Sequence, residues 1–233
     1  MAQITHHPAH TPADDPAQPV DWKDADRDQR RAMIIDLAME LLREEGPDAL
    51  TMRRVARELG VGAMTLYTYI DGQTGLHRAM VAKGFEIIHT TCSAACHAHR
   101  EQSPATRDLP DSDIGRCPEH WFGGARAYVQ FAVEHPNLYR LMFDTPVEAD
   151  DDRFDDIIHG GFQCLHGVVR ERLQAHGLTG DQLETETRQL AGRYWIALHG
   201  LATLAIAGRM QILHGTLDDI LLHLLEAVAP TKG

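Results

Sequence analysis

Residues 50–72, LTMRRVARELGVGAMTLYTYIDG, predict two short helices joined by a glycine turn. Thr51 is a favourable N-cap because its hydroxyl can accept a hydrogen bond from a free amide of the first turn. Gly60 can adopt the left-handed backbone that ends a helix. A second helix is expected from Ala63 to Tyr69, with Leu66 and Ile70 facing the core. The apolar face of the first helix consists of Met52, Val55, Ala56 and Leu59.

The outward face of the second helix carries small, hydroxyl and aromatic side chains and no acidic one. Such a face suits the major groove of DNA, where hydroxyls reach phosphates and small side chains allow close approach. Arginines cluster on the first helix, where backbone phosphates lie in a helix-turn-helix complex. The predicted DNA-binding residues are Thr51, Arg53, Arg54, Ala63, Met64, Thr65, Tyr67 and Tyr69. The plainer alternative is a helical hairpin inside a bundle with no role in DNA binding.

The same stretch resembles the DNA-binding domain of TetR-type (tetracycline-repressor) transcriptional regulators. The shared pattern, T-x-x-x-V-A-x-x-L-G-V-x-x-x-x-L-Y-x-Y after a long first helix, is matched within about residues 26–80. The pattern is filled by Thr51, Val55, Ala56, Leu59, Gly60, Val61, Leu66, Tyr67 and Tyr69. Gln73 departs from the family, which usually has a phosphate-holding lysine there. The resemblance implies a homodimeric repressor that leaves a palindromic operator when a small molecule binds.

Composition is that of a folded globular protein, with 233 residues, 43% hydrophobic and 24% charged. No uncharged apolar run reaches the length of a membrane span, and the N-terminus lacks a basic-then-apolar leader pattern. The expected protein is soluble and cytoplasmic. The net charge of −12 is uneven, because residues 22–70 hold eight Lys/Arg against nine Asp/Glu while residues 71–233 carry −8. A near-neutral DNA-binding segment predicts modest non-specific affinity and a strong dependence on salt.

Periodicity along the chain predicts an all-α protein with nine helices. Residues 1–21 are rich in Pro, Ala, His and Asp and are expected to form a disordered arm. Residues 22–72 form the predicted three-helix DNA-binding domain. Residues 73–233 form the predicted six-helix ligand-binding and dimerisation domain. Helices in that part are expected at 74–99, 119–134, from 136, 155–176, 181–207 and 216–228.

The C-terminal part resembles the branch of the family with a WHG-type regulatory domain, on Trp195, His199, Gly200 and the segment FAVEHPNLYRLMF at 131–143. That branch implies a variable ligand site. Trp195 and His199 share one helix face, either as a pocket wall or as a packed core pair. The expected effector is mainly apolar and occupies a cavity of roughly 300 Å³ or more. The predicted ligand-binding residues are Phe85, His89, Phe131, Met142, Phe162, His166, Trp195 and His199.

An alternative regulator would sense a metal or an oxidant through His89, Cys92 and Cys96, which share one face of a helix. One helix cannot surround a tetrahedral ion, and small buried cysteines are more often inert core residues. The four cysteines, which include Cys117 and Cys164, lack the spacing of a disulfide scaffold and are expected to be reduced. The leading interpretation therefore includes no metal and no cofactor.

The last two helices each carry an apolar stripe that could pack as a four-helix bundle with a second copy of the chain. The stripes are Leu190, Tyr194, Leu198, Leu201 and Ala205, and Leu217, Ile220, Leu221, Leu224 and Val228. The sequence shows no phosphate loop and no nucleophile with a base signature, so an enzyme is not expected. A helical enzyme or binding module without a DNA role is the remote alternative.

Overall fold

The computed structural model describes residues 21–102, 108, 122–144 and 152–228, and for residues 152–161 and 225–228 it describes the backbone alone. Nine α-helices and no strand occur within these ranges, which confirms the all-α prediction. The predicted arm lies outside the described residues except for Asp21, as does Cys117. The helices are α1 (Arg27–Glu45), α2 (Met52–Glu58), α3 (Ala63–Leu66), α4 (Gly72–Gln102), α5 (Phe122–Glu134), α6 (Pro136–Asp144), α7 (Asp152–Ala175), α8 (Gly180–Ile206) and α9 (Leu217–Val228).

Helices α1–α3, here called the reading head, form as their local sequence predicts. Asp26 and Gln29 form a capping box at the start of α1, each accepting a hydrogen bond from the other's backbone amide at 2.8–2.9 Å. Thr51 caps α2 by accepting from the Arg54 amide at 3.2 Å. Gly60 has φ +67°, which confirms the expected left-handed turn. Leu66 is fully buried and joins the core of the head.

Helix α3 is shorter than expected and ends at Leu66 instead of Tyr69. The following residues continue in tight turns, in which the amides of Thr68 and Tyr69 donate to carbonyls three residues back. No side chain caps the start of α3, and its hydroxyl and aromatic residues are weaker helix formers than alanine or leucine. Ile70 is nevertheless buried as predicted, because the chain reaches the core through these turns.

Helices α4–α9, here called the body, pack around α4, which is 31 residues long. The first turns of α4 contribute Leu76 and Met80 to the same hydrophobic core as the reading head. Farther along, α4 and α5 approach closely through glycine. A Cβ at Gly123 would overlap the backbone carbonyl of Ala95, and one at Gly124 would lie 2.5 Å from Cys96 Sγ. These contacts explain why two glycines occupy the first turn of α5.

A second connection joins the body to the reading head away from α4. The Asn137 side chain of α6 donates from Nδ2 to the Leu42 carbonyl of α1 at 3.0 Å. The Leu42 carbonyl also accepts a hydrogen bond from the Gly46 amide at the end of α1, so the Asn137 amide is its second donor. The bond therefore ties the end of α1 to the body.

The apolar stripe that was expected to form a dimer interface on α8 lies instead inside the protomer. Its members Leu190, Tyr194, Leu198 and Leu201 are buried against α5 and α7. Leu221 of α9 is also fully buried, while the side chain of Val228 is not described. Assigning these buried residues to an interface was wrong, because the chain's own helices cover them. None of the helices in the described ranges is long and apolar enough to span a membrane.

Candidate DNA-binding face and regulatory cavity

The outer surface of the α2–α3 hairpin exposes several of the residues that were predicted to bind DNA. Met64 and Tyr67 have exposed fractions of 79% and 52%, which is unusual for large hydrophobic side chains. Arg53 and Thr51 are exposed at the start of α2, while Ala63 and Thr65 are half-buried. This surface has side chains that suit a DNA groove, with apolar and hydroxyl groups beside the exposed guanidinium of Arg53.

Arg54 differs from Arg53 because carboxylates on both sides hold its guanidinium. It donates to both oxygens of Glu45 at 2.7 and 3.0 Å and to Glu58 at 2.8 Å. These hydrogen bonds raise the pKa of Arg54. The bond from Arg54 to Glu58 in turn lowers the pKa of Glu58. The arrangement fastens α2 to the end of α1. Arg54 therefore contributes little net charge to the surface.

Tyr69 is likewise engaged within the reading head. Its hydroxyl accepts a hydrogen bond from Arg30 Nη1 at 3.0 Å, and its ring packs edge-on against Trp22 at 5.6 Å. Arg30 also donates to the Trp22 carbonyl at 2.9 Å. Tyr69 thus fixes the segment before α1, while Tyr67 extends into solvent.

Gln73, which stands where the family usually has a lysine, forms hydrogen bonds within the protein. Its amide nitrogen donates to the Leu50 carbonyl at 2.8 Å and lies 2.8 Å from His77 Nε2, which accepts when the ring is protonated at Nδ1. Burial lowers the pKa of His77 and favours this neutral state. The side chain therefore links the start of α4 to the turn before α2.

A cavity in the body lies between α4, α5, α7 and α8, with α6 closing one side. Its volume is about 50 Å³, so the expectation of 300 Å³ or more is wrong for this structure. Three of the eight predicted ligand-binding residues line it, namely Phe85, Phe162 and Trp195. The other lining residues are Ile88, Cys92, Cys96, Gly124, Ala125, Tyr128, Phe143, Cys164, Leu165, Val168 and Leu198.

The remaining predicted ligand residues lie elsewhere. Phe131 and Met142 are buried in the core, and Phe131 also borders a separate groove of about 340 Å³ between α1 and the α5–α6 corner. His166 is exposed and His89 is half-buried. His199 accepts from or donates to the Tyr139 hydroxyl through Nδ1 at 2.7 Å, and the two rings stack. The sequence could place each of these residues on a helix face, but it could not show which helix faces meet at the cavity.

The indole of Trp195 supplies one polar group to the cavity wall. The indole lies beside the Tyr128 hydroxyl, whose pKa burial raises to about 12. Hydrogen-bonding interactions with Tyr139 and with the Trp195 indole lower that pKa by smaller amounts. The indole N–H is buried and has no hydrogen-bond partner of acceptable geometry among the residues that the structure describes. An unpaired buried donor is costly, so this group favours a ligand with an acceptor atom.

Three thiols also border the cavity, and sequence reasoning missed the importance of one. Burial raises the pKa of Cys92 to about 12, and a hydrogen bond to Cys164 together with burial raises the pKa of Cys96. Cys164 on α7 has a lowered pKa because the Cys96 thiol donates to it. No group of three His, Cys, Asp or Glu side chains that could hold a metal ion occurs in the described part of the chain.

Comparison with known proteins identifies the family. Residues 34–80 match the model described as "Bacterial regulatory proteins, tetR family", and residues 121–228 match "Tetracyclin repressor-like, C-terminal domain". Neither description names the WHG-type branch, which stays a prediction.

Individual relatives agree with both matches. An HTH-type transcriptional regulator of Mycobacterium tuberculosis is 27% identical over 181 residues, which are 78% of this chain and 72% of that protein. The tetracycline repressor protein class D of Escherichia coli is 40% identical over 53 residues, which are 23% of this chain and 24% of that repressor. A solved structure from Rhodococcus sp. RHA1 shares the fold, with a TM-score of 0.66 at 21% identity over 91% of this chain and 96% of that one. The chain belongs to the tetR family of bacterial regulatory proteins and is a DNA-binding transcriptional regulator.

Proposed function

We propose that this protein is a homodimeric repressor that binds a palindromic operator through α2 and α3 and leaves it when an apolar effector enters the body. The observation that carries the proposal is the apolar cavity between α4, α5, α7 and α8, with the unpaired indole N–H of Trp195 in its wall. Such a wall favours a mainly apolar molecule with one acceptor oxygen, because a charged molecule would be poorly solvated there. The proposal includes no enzymatic activity and assigns the protein to the cytoplasm, with its operator.

The size of the cavity defines how the effector would act. A volume of about 50 Å³ is far below the roughly 300–1,000 Å³ of ligand pockets. Entry of an effector must therefore part the surrounding helices, and α4 is one of them. Because the first turns of α4 lie in the core of the reading head, a displacement of α4 moves the head. Operator affinity falls when the two heads no longer match major grooves about 34 Å apart. The size of this fall is limited by the difference between the effector's affinities for the parted and the closed states.

The dimer interface is proposed on the outward faces of α8 and α9. Ile196 and Leu222 have exposed fractions of 68% and 37%, large for apolar residues in helix interiors. A Cβ at Gly192 or Gly200 would meet no atom of another described element within 4 Å. Small residues beside an exposed isoleucine allow a partner helix to approach closely. Ile196→Glu with Leu222→Glu is expected to give a folded monomer by light scattering, while Val133→Glu, on an exposed site of α5, should leave the dimer intact.

The test of the repressor function begins with a gel shift on DNA upstream of the protein's own gene. Specific retention of that DNA supports the proposal, and retention no stronger than that of unrelated DNA contradicts it. Apolar compounds with a single carbonyl or hydroxyl oxygen are then screened for release of the complex.

The cavity is tested with a tryptophan pair. Trp195→Phe should lower the affinity for the effector by about fivefold, which corresponds to one neutral hydrogen bond of about 1 kcal/mol. The affinity for the operator should be unchanged. Trp22→Phe removes an indole from the reading head instead and serves as the matched control for effector binding. Equal effector affinity in wild type and Trp195→Phe would contradict the role of the indole.

A further inference from the structure

Cys164 and Cys96 face each other across the cavity from different helices. Both thiols line the cavity, Cys164 from α7 and Cys96 from α4. The Cys96 thiol donates a hydrogen bond to the Cys164 sulfur, so the two thiols are neighbours. Gly124 of α5 leaves space for Cys96 Sγ, since a Cβ at that position would lie only 2.5 Å from the sulfur.

The surroundings of Cys164 favour a thiolate. Besides Cys96, the Ser93 hydroxyl donates to its sulfur, and the imidazoles of His89 and His97 lower its pKa. The Nδ1 atom of His89 is buried and has no hydrogen-bond partner among the described residues. These groups all extend from one face of α4 towards α7. A partly exposed thiol among hydrogen-bond donors and imidazoles is the setting of reactive cysteines, whereas burial raises the pKa of the Cys92 thiol.

We infer that Cys164 and Cys96 form a peroxide-reactive thiol pair that closes a disulfide between α7 and α4. The Cys164 thiolate attacks one oxygen of hydrogen peroxide, the O–O bond breaks, and hydroxide leaves to take up a proton as water. Cys164 is then a sulfenic acid. The Cys96 sulfur attacks it, the S–OH bond breaks, and the departing hydroxide takes the Cys96 proton as a second water. Two thiols are oxidised, one peroxide is reduced, and two waters are released.

The dimensions of the cavity support this reactant. A space of about 50 Å³ admits water-sized molecules, which need only about 10–15 Å³ each. Hydrogen peroxide is close to that size, so it fits beside the sulfurs in a cavity of these dimensions. The resulting disulfide would tie α4 to α7 across the cavity. It would therefore oppose the widening of the cavity that the apolar effector requires.

The covalent chemistry can be tested without any DNA, so its outcome is separate from that of the proposed repressor function. Reduced full-length protein is treated with equimolar hydrogen peroxide, blocked with a maleimide and mapped by mass spectrometry without reduction. The expected product is an intramolecular disulfide between Cys96 and Cys164. Absence of a disulfide, or one in which Cys117 or Cys92 replaces either partner, would overturn the inference.

Single substitutions assign the two roles. Cys96→Ser should leave a sulfenic acid on Cys164 that dimedone traps, and Cys164→Ser should lose both the trap and the disulfide. Cys92→Ser is the matched control, a thiol on the same cavity wall, and should form the disulfide at the wild-type rate. Dimedone labelling of Cys96 in the Cys164→Ser protein at the rate seen for Cys164 would reverse the roles and overturn the mechanism.

A pH profile gives a second readout that does not require any variant. The rate of alkylation of Cys164 should reach half its maximum below about pH 8.5, the ordinary value for a free thiol. The groups that lower this midpoint are Cys96, Ser93, His89 and His97, all on α4, while burial of the thiol raises it. A midpoint at or above that pH would show that Cys164 is an ordinary thiol and overturn the inference.

Discussion

Neighbouring arginines on α2 should respond to alanine in opposite ways. Arg53 has an exposed side chain and forms no ion pair with another described residue, whereas Arg54 is held by Glu45 and Glu58. We expect Arg53→Ala to weaken operator binding without changing the melting temperature. Arg54→Ala should lower the melting temperature, because α2 loses its connection to α1, and should change the salt dependence little.

The salt dependence supplies the magnitude. Each phosphate neutralised by the protein adds about 0.9 to the slope of log affinity against log salt. A dimer presents Arg53 twice, so the variant should lose a slope of about 1.8. Between about 50 and 200 mM salt, the wild type should therefore lose about 12-fold more affinity than Arg53→Ala does.

Fluorescence anisotropy with labelled operator at four or five salt concentrations measures these slopes. Arg53→Lys keeps the charge and should keep the wild-type slope, which separates charge from shape. A slope for Arg53→Ala within error of wild type would refute the phosphate contact. A larger loss of slope for Arg54→Ala than for Arg53→Ala would refute the reasoning from ion pairs.

Tyr67→Ala should weaken operator binding by about 1–3 kcal/mol at unchanged melting temperature, and unchanged affinity by gel shift would remove Tyr67 from the interface. Gly123→Ala should cost about 1–3 kcal/mol in the free energy of unfolding because the new methyl meets a backbone carbonyl of α4. Gly167→Ala, on an open face of α7, should instead gain about 0.5–1 kcal/mol, and urea titration compares the two. Burial lowers the pKa of His77 and His199, so the unfolded chain binds more protons near neutral pH and stability should fall as pH drops below about 6.5. Calorimetry from pH 7.5 to 5.5 measures this fall, and a double variant with glutamine at both positions should show a shallower one.

Local sequence was sufficient for the reading head. The cap at Thr51, the turn at Gly60 and the burial of Leu66 depend on residues within one or two turns, so spacing and residue type predicted them. The end of α3 was less predictable, because Tyr69 is drawn towards Trp22 and Arg30, which lie about 40 residues away in sequence.

The body shows where periodicity stops being informative. An apolar stripe such as Leu190, Tyr194 and Leu198 indicates a buried face but not whether the chain itself or a partner covers it. Likewise, Phe85, Phe162 and Trp195 meet at the cavity while the predicted histidines do not. Cys164 gave no signal in sequence, because only the packing of α7 on α4 brings it to Cys96.

The bond from Asn137 to the Leu42 carbonyl has a mechanical consequence. With α4, it fixes the reading head to the body at two separated points, and two points of attachment prevent a free swivel about either one. Each protomer is then expected to turn as a stiff unit. A helix of 31 residues spans about 46 Å, so a tilt of only about 3° at the far end of α4 displaces the head by about 2.4 Å over that length. An angular change of only a few degrees can thus spoil the fit of α3 in a DNA groove.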